Sequence, residues 1–294
     1  MQKKYVMTGL LFVTPITLIL LTFLLFPIAQ SFYYSLTDWK GVGAYSFIGF
    51  KNYADIFKED VFVHSLWRTL AIGLSAAVLS NVLGLFFAVL LDQPLRTKKA
   101  LRALYYIPNV IPIVVAAFVW RYILDANSGL ANQWLSALAG RPVTTAWVDS
   151  PDYVVPTIVL ITVWQMMGPI IIIYLAALQG VPGELLEAGM LDGASRPRRF
   201  VSIVLPMIAP GITVNVLIGL ANGIRLFDLP FALTGGGPAN ASETLAIRIY
   251  RYAFQSSDMA YGMAASFVMT MVVLVVTCFF VALSRKYEQG AHGA

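Results

Sequence analysis

The sequence predicts an all-α integral membrane protein with six transmembrane helices, and three observations predict it. Of its 294 residues 59% are hydrophobic and only 12% charged, where a soluble domain carries about 25% charged residues. That leaves too little polar side chain to coat a globule of this size. Six apolar runs are long enough to cross a hydrocarbon core, which takes about 20 residues per helix. The basic residues gather in alternate connections between those runs, the asymmetry of a multi-pass protein.

The first run extends from Val6 to Ala29 behind Lys3 and Lys4. It is too long for a signal-peptide core and no small-x-small cleavage site follows, so it reads as an uncleaved helix. The others run from Thr69 to Leu91, Ala103 to Leu124, Val154 to Leu178, Phe200 to Gly223 and Met259 to Leu283. With six spans, Lys3 and Lys4, the cluster Arg96, Lys98, Lys99 and Arg102, the trio Arg196, Arg198 and Arg199, and Arg285 with Lys286 share one side. The positive-inside rule makes that side cytoplasmic and places both termini there. Segments 37–62, 125–152 and 226–258 fall on the other side, and Trp39, Trp67 and Trp147 near the span ends read as interfacial anchors. The expected division is 1–62 for the first helix and outer loop, 63–284 for a five-helix core, and 285–294 for a cytoplasmic tail.

Several function classes drop out. The formal charge of +5 is confined to short connections without basic-aromatic interleaving, which argues against nucleic acid. Cys278 is the single cysteine, and His64 and His292 are the only histidines, so no disulfide, cysteine cluster or His-rich metal site is expected. No Asp, Glu, His or Arg sits in the middle of a span; Arg68, Arg225 and Asp228 lie near outer ends, where long side chains reach the interface. An ion-coupled carrier would ordinarily hold such a group inside the membrane. The chain has no G-x-x-x-x-G-K-[ST] loop, so energy for transport has to come from a separate chain. No nucleophile-base constellation marks an intramembrane enzyme.

The connection between the fourth and fifth spans, about 178–206, carries the most specific signal. Pro182 and Gly183 precede a stretch from Glu184 to Leu191 that suits a short helix, with acids near its positive end. Asp192 and Gly193 stop it, Gly193 taking a left-handed C′ position, and Ser195 and Pro197 open the next helix. Leu185, Leu186 and Met190 are expected to lie exposed outside the bilayer, as knobs for a partner's groove.

This stretch resembles the EAA loop of binding-protein-dependent ABC importer permeases: EAA, three residues, G, nine residues, LP. Glu187, Ala188, Gly193, Leu205 and Pro206 match, and Gly189 replaces the second alanine. The resemblance implies a type I ABC importer permease fold with a cytoplasmic coupling helix that docks on the ATPase subunit. It assigns ATPase-coupling contact or turn positions to Glu184, Glu187, Ala188, Asp192, Gly193 and Ala194. It extends over nearly the whole chain. Phe47-Ile48-Gly49-Phe50-Lys51-Asn52-Tyr53 is similar to the FxGLxNY signature, and Phe227-Asp228 with Leu233-Thr234-Gly235-Gly236-Gly237-Pro238 to the FD…LTGGGP segment of MalF-like sugar permeases. The glycine run reads equally as a tight turn or as a loop facing the docked binding protein.

Helical spacing puts Thr162, Gln165, Met166 and Pro169 on one face of the fourth span, and Asn215, Gly219, Asn222 and Leu226 on one face of the fifth. Asn109 sits beside Pro112, where a missing backbone donor can open the third span. Uncharged amides suit a polyhydroxylated neutral ligand, and they equally suit interhelical hydrogen bonding. In MalF-like permeases the sugar contacts come from the third to fifth core spans. The resemblance therefore points to Asn109 and Ile113, to Thr162, Gln165, Met166 and Pro169, and to Asn222, Gly223 and Leu226 as substrate-pathway residues. It further implies a second homologous permease, two ATPase subunits that bind ATP and Mg, an extracytoplasmic solute-binding protein, membrane lipid and a carbohydrate substrate. No cofactor is expected in this chain. The alternatives are a glycerol-phosphate or peptide permease of the same family, or an ion-coupled carrier.

Overall fold

The computed structural model describes residues 12–94 and 96–292, with side chains described as far as Arg285. Lys3, Lys4, the expected start of the first span at Val6, and the Lys286 side chain lie outside the described residues. Helices α1 (Phe12–Ser35), α2 (Lys51–Ile56) and α3 (Asp60–Asp92) are followed by α4 (Lys98–Val110) and α5 (Ile113–Ile123). Next come α6 (Leu130–Ala139), α7 (Pro151–Gln179), α8 (Gly183–Leu191), α9 (Arg196–Met207) and α10 (Ala209–Ile224). Short α11 (Asp228–Thr234) and α12 (Leu245–Tyr250) precede α13 (Met259–His292). Among the described residues the only extended pairing is an isolated antiparallel bridge between Thr37 and Phe47.

Helices α1, α3, α7 and the Met259–Arg285 part of α13 are each long and apolar enough to cross a membrane. The third and fifth expected spans are broken. α4 and α5 meet at 97°, and α9 and α10 at 69°, and each pair passes as one span when its halves are joined. Counting each bent pair as one span gives six among the described residues, with the boundaries moved: the first extends to Ser35, beyond the expected Ala29, and the fifth begins at Arg196 rather than Phe200. Arg196–Arg199 joins that helix because Pro197 occupies its first turn, where a missing N–H costs nothing. Ser195 stands at the N-cap with extended ψ, but its hydroxyl makes no capping hydrogen bond, unlike the expectation.

The chain divides into two compact units. One comprises residues up to Val63 with Arg248–Thr270; the other comprises His64–Ile247 with the chain from Met271 onward. In the first unit, the motif Phe47–Tyr53 ties down the end of α1. Asn52 Nδ2 donates to the carbonyls of Ser35 and Thr37, each at 2.8 Å, and the Tyr53 and Ser35 hydroxyls lie 2.7 Å apart. The Tyr34 ring stacks on Trp39 at 4.4 Å. The Glu59 carboxylate accepts hydrogen bonds from Tyr252 and, at 2.8 Å, from Tyr261. Burial and then this carboxylate push the Tyr252 phenol well above its ordinary pKa.

In the second unit α7 is the central post. Its N-terminal half packs Val154, Ile158 and Ile161 with Ile72 and Ala76 of α3, Ala117 of α5, and Leu229 and Leu233 of α11. Its other half packs Ile170, Tyr174 and Leu175 with Ala88 and Leu91 of α3 and with Leu101 and Tyr105 of α4. Lipid supplies no hydrophobic drive for helices to associate, so close backbone approach and internal hydrogen bonds matter more. Both are present. A Cβ on Gly223 of α10 would come within 2.8 Å of the Gly73 backbone of α3, so the two helices cross glycine to glycine. The Tyr174 hydroxyl donates to Asn81 Oδ1 at 2.7 Å, and fully buried Asn215 donates Nδ2 to the Ile170 carbonyl at 3.2 Å.

Candidate functional site

Two places in the second unit gather the residues singled out by sequence. The first is α8. Pro182 is extended and sets the entry, and the helix ends in a Schellman closure: Ala194 N–H donates to the Gly189 carbonyl and Gly193 N–H to the Met190 carbonyl, each at 3.0 Å. That closure needs a left-handed residue at C′, and Gly193 supplies it with φ +75°. Glu184, Glu187, Ala188 and Asp192 are all exposed, with Leu185, Met190 and Leu191 beside them; Ala194 is half-buried. Leu186, expected among the exposed residues, is half-buried instead, because α8 lies against the start of α9 on that side.

Gly189 explains that contact. It is buried, and a Cβ there would lie 2.8 Å from Ile203 Cδ1 and 3.4 Å from the Arg199 stem. The departure from the EAA pattern, which on helix propensity alone costs about 1 kcal/mol, is therefore matched by the closeness of α9. Arg199 Nη1 donates to the Leu186 carbonyl at 3.2 Å and braces the same junction. The Arg199 brace and the Gly189 packing were not legible in the sequence, since both depend on how two helices meet across the Gly193 turn.

The second place is the break between α4 and α5. Ile111 and Pro112 are extended, so the helix stops and its last carbonyls lose their partners. Gln165, midway along α7, donates Nε2 to the Ile111 carbonyl at 3.3 Å. Inside a membrane protein such a carbonyl needs a partner, and the amide supplies one. The structure thus brings Gln165 to the Ile111 carbonyl, between Asn109, which is exposed, and Ile113, which is half-buried. Met166 and Pro169 are half-buried. Thr162 is buried with its hydroxyl donated to the Ile158 carbonyl at 2.7 Å. On α10 the side chain of Asn222 is exposed and Gly223 is buried in the crossing with Gly73, while Leu226, just past the end of the helix, is half-buried.

The glycine-proline loop folds back on itself. Gly235 and Gly236 have φ +62° and +92°, Ser242 Oγ donates to the Gly237 carbonyl at 2.6 Å, and Thr234 Oγ1 lies 2.7 Å from Ser242 Oγ. Gly236 is buried, and Gly235, Gly237 and Pro238 are half-buried. Arg121 of α5 donates to the Leu233 carbonyl just before the loop at 2.9 Å. Glu243, which the sequence reading passed over, is fully buried immediately after it. Among the described residues no group of three His, Cys, Asp or Glu side chains is arranged to hold a metal ion.

Residues 80–289 match the family described as the inner membrane component of binding-protein-dependent transport systems. The chain belongs to this permease family. The permease is 32% identical over 98% of both chains to a probable starch degradation products transport system permease, AmyD, of Thermoanaerobacterium thermosulfurigenes. It is 31% identical, over 94% of itself and 93% of the relative, to the trehalose/maltose transport system permease MalF of Thermococcus litoralis. Its fold is similar to that of a chain in a bacterial ABC transporter involved in the import of the acidic polysaccharide alginate. That superposition has a TM-score of 0.80 at 23% identity and covers 97% of this chain and 96% of the other.

Proposed function

We propose that this permease moves a neutral sugar or oligosaccharide across the cytoplasmic membrane, with ATP hydrolysis supplied by two separate ATPase subunits. A second homologous permease completes the pore, and an extracytoplasmic solute-binding protein delivers the substrate. Both termini face the cytoplasm, as the basic connections imply. The observation that carries this reading is α8: a short helix with Glu184 and Glu187 exposed beside Leu185, Met190 and Leu191, closed by Gly193 and braced to the next span by Arg199. An exposed apolar and acidic helix outside the spans suits a groove on a partner. Its Glu187, Ala188, Asp192, Gly193 and Ala194 are the coupling contacts.

The neutral-sugar reading rests on the amides at the broken span. Asn109 and Gln165 flank the break, with Asn222 exposed on α10, and no ionised side chain stands among these positions. Amides both donate and accept, as sugar hydroxyls require. Relatives whose names specify starch products and trehalose or maltose support the same class. ATP binding shifts the pair of permeases between outward- and inward-open states through α8.

The test is substrate-stimulated ATP hydrolysis by the assembled complex in nanodiscs, compared with Glu187→Ala after assembly of both is verified. Stimulation by sugar-loaded binding protein in the parent and its loss in the variant is the expected result. Uptake driven by an ion gradient with no ATPase bound would overturn the proposal.

A further inference from the structure

Helix α6 is inside out for a helix bathed in water. Its polar Asn132 is 3% exposed and fully engaged: Nδ2 donates to the Ala126 and Thr145 carbonyls, each at 2.9 Å, and Oδ1 accepts from Trp147 Nε1 at 2.9 Å. Leu130, Trp134 and Leu138, four residues apart on another face, are 49%, 74% and 83% exposed. Three large apolar side chains at that spacing form one stripe along the helix. Exposing such a stripe while sealing an amide inside reverses the usual balance, and the hydrocarbon edge of a bilayer is the solvent that restores it.

Beside this stripe lies a cavity of about 490 Å³ whose walls include Trp120, Trp134, Leu138, Tyr153, Pro156 and Leu160. That is within the roughly 300–1,000 Å³ of ordinary ligand sites. The exposed surface of its lining is almost wholly apolar, and two polar groups in its wall are already engaged. The Thr157 hydroxyl is donated to the Trp147 carbonyl at 3.0 Å, and the Trp147 indole to Asn132. A polyhydroxylated ligand would find rings to stack on but few partners for its hydroxyls, whereas an alkyl chain needs none.

The depth of the site selects the source of that chain. Tyr153 and Leu160 lie near the start of the 29-residue α7, so at about 1.5 Å per residue the wall they form runs from about 3 to 14 Å below the helix end. Half of a hydrocarbon core is about 15 Å. The helix, at about 44 Å, overruns a hydrocarbon core of about 30 Å by about 7 Å at each end, so the wall descends from headgroup level about halfway into one leaflet. It is continuous with an exposed apolar surface of the spans, since Leu160 is itself exposed, as are Phe118 and Tyr122 on α5.

We propose that this groove holds an acyl chain of a phospholipid from the leaflet opposite α8, with α6 lying at the interface above it. The lipid is a resident of the fold, held by shape and apolar contact rather than by headgroup charge.

The test uses the assembled complex, solubilised from nanodiscs of phosphatidylethanolamine and phosphatidylglycerol and stripped with detergent. Native mass spectrometry then counts retained phospholipid. Ala131 of α6 also lines the cavity, and the parent is expected to keep one phospholipid per copy of this chain that Ala131→Phe, which fills the groove, loses. Leu138→Ser, on an exposed rim position, weakens retention without touching the buried Asn132 network. A photo-crosslinker at position 138 is expected to capture lipid. Equal retention by parent and Ala131→Phe would overturn the proposal, and so would a crosslink that lands on another protein subunit, which would make the groove a protein interface.

Discussion

Adding a single methyl group at the crossing of α3 and α10 should loosen the core of this permease. A Cβ on Gly223 would sit 2.8 Å from both Cα and O of Gly73; a Cβ on Gly73 would sit 2.9 Å from the Gly223 carbonyl carbon and the Ile224 nitrogen. All four are backbone atoms, so no rotamer change relieves them. Reaching the 3.4 Å at which Cβ contacts become ordinary requires the helices to part by roughly 0.6 Å. Overpacking of this kind costs about 1–3 kcal/mol. Gly73→Ala and Gly223→Ala should each lower the thermal midpoint of the detergent-solubilised complex, read as loss of the monodisperse peak after heating. The double variant decides the reasoning. Both methyls push the same gap, so the helices need part only once, and the combined loss should fall well short of the sum of the singles. Additive losses, or single variants that melt with the parent, would refute a glycine-to-glycine crossing.

Replacing Gly193 (φ +75°) by valine should destabilise the α8 closure by about 1–2 kcal/mol, with asparagine milder. Faster hydrogen exchange of the Ala194 amide checks it. Gln165→Leu removes the donor to the Ile111 carbonyl and leaves that group unpaired in the membrane, at a cost of about 1–3 kcal/mol; a lower thermal midpoint and reduced sugar-stimulated ATP hydrolysis are expected. Gly189→Ala should impair coupling through its contact with Ile203, and Ile203→Val in the same chain should restore part of it. Asp125 accepts from the Ser128 amide, the Ser128 hydroxyl and the Asn127 amide, bonds that hold its carboxyl below the usual Asp range. A carboxylate depressed on folding stabilises the fold above its unfolded pKa, and that stability is lost as pH falls through the folded value. Protection of the Asn127 and Ser128 amides relative to their intrinsic exchange should therefore fall as pH falls through the depressed value in the parent, and Asp125→Asn should remove the dependence.

The spans, the α8 helix and its stop were legible because each is a local signal: an apolar run of sufficient length, a proline before a helix, a glycine after one. Breaks were legible only in part. Pro112 marks the end of α4, yet Pro108 stays inside that helix, and nothing local separates the two. What decides is Gln165, more than fifty positions along the chain, waiting for the Ile111 carbonyl. The expected pathway face on α7 shows the same limit. Spacing put Thr162 and Gln165 on one side, but one hydroxyl turns back on its own helix while the other side chain reaches across. Ser195 has the sequence of a cap and the backbone of one, but not its hydrogen bond. Gly223, expected along the substrate pathway, is instead buried against Gly73, a mate that nothing local in either helix could name.

The brace between α8 and α9 has a mechanical consequence. No slack segment separates them: one turn at Gly193 reverses the chain, Arg199 ties back to Leu186, and Gly189 rests on Ile203. A load applied at Glu187 cannot be absorbed as local bending of α8 and passes as torque into α9. Farther along the chain, past the π-helical turn Phe200–Val204, comes the 69° elbow at Ile208, flanked by Pro206 and Pro210. The stroke of a docked motor would thus be delivered at that elbow, turning a push on a surface helix into a swing of the half-span that carries Asn222.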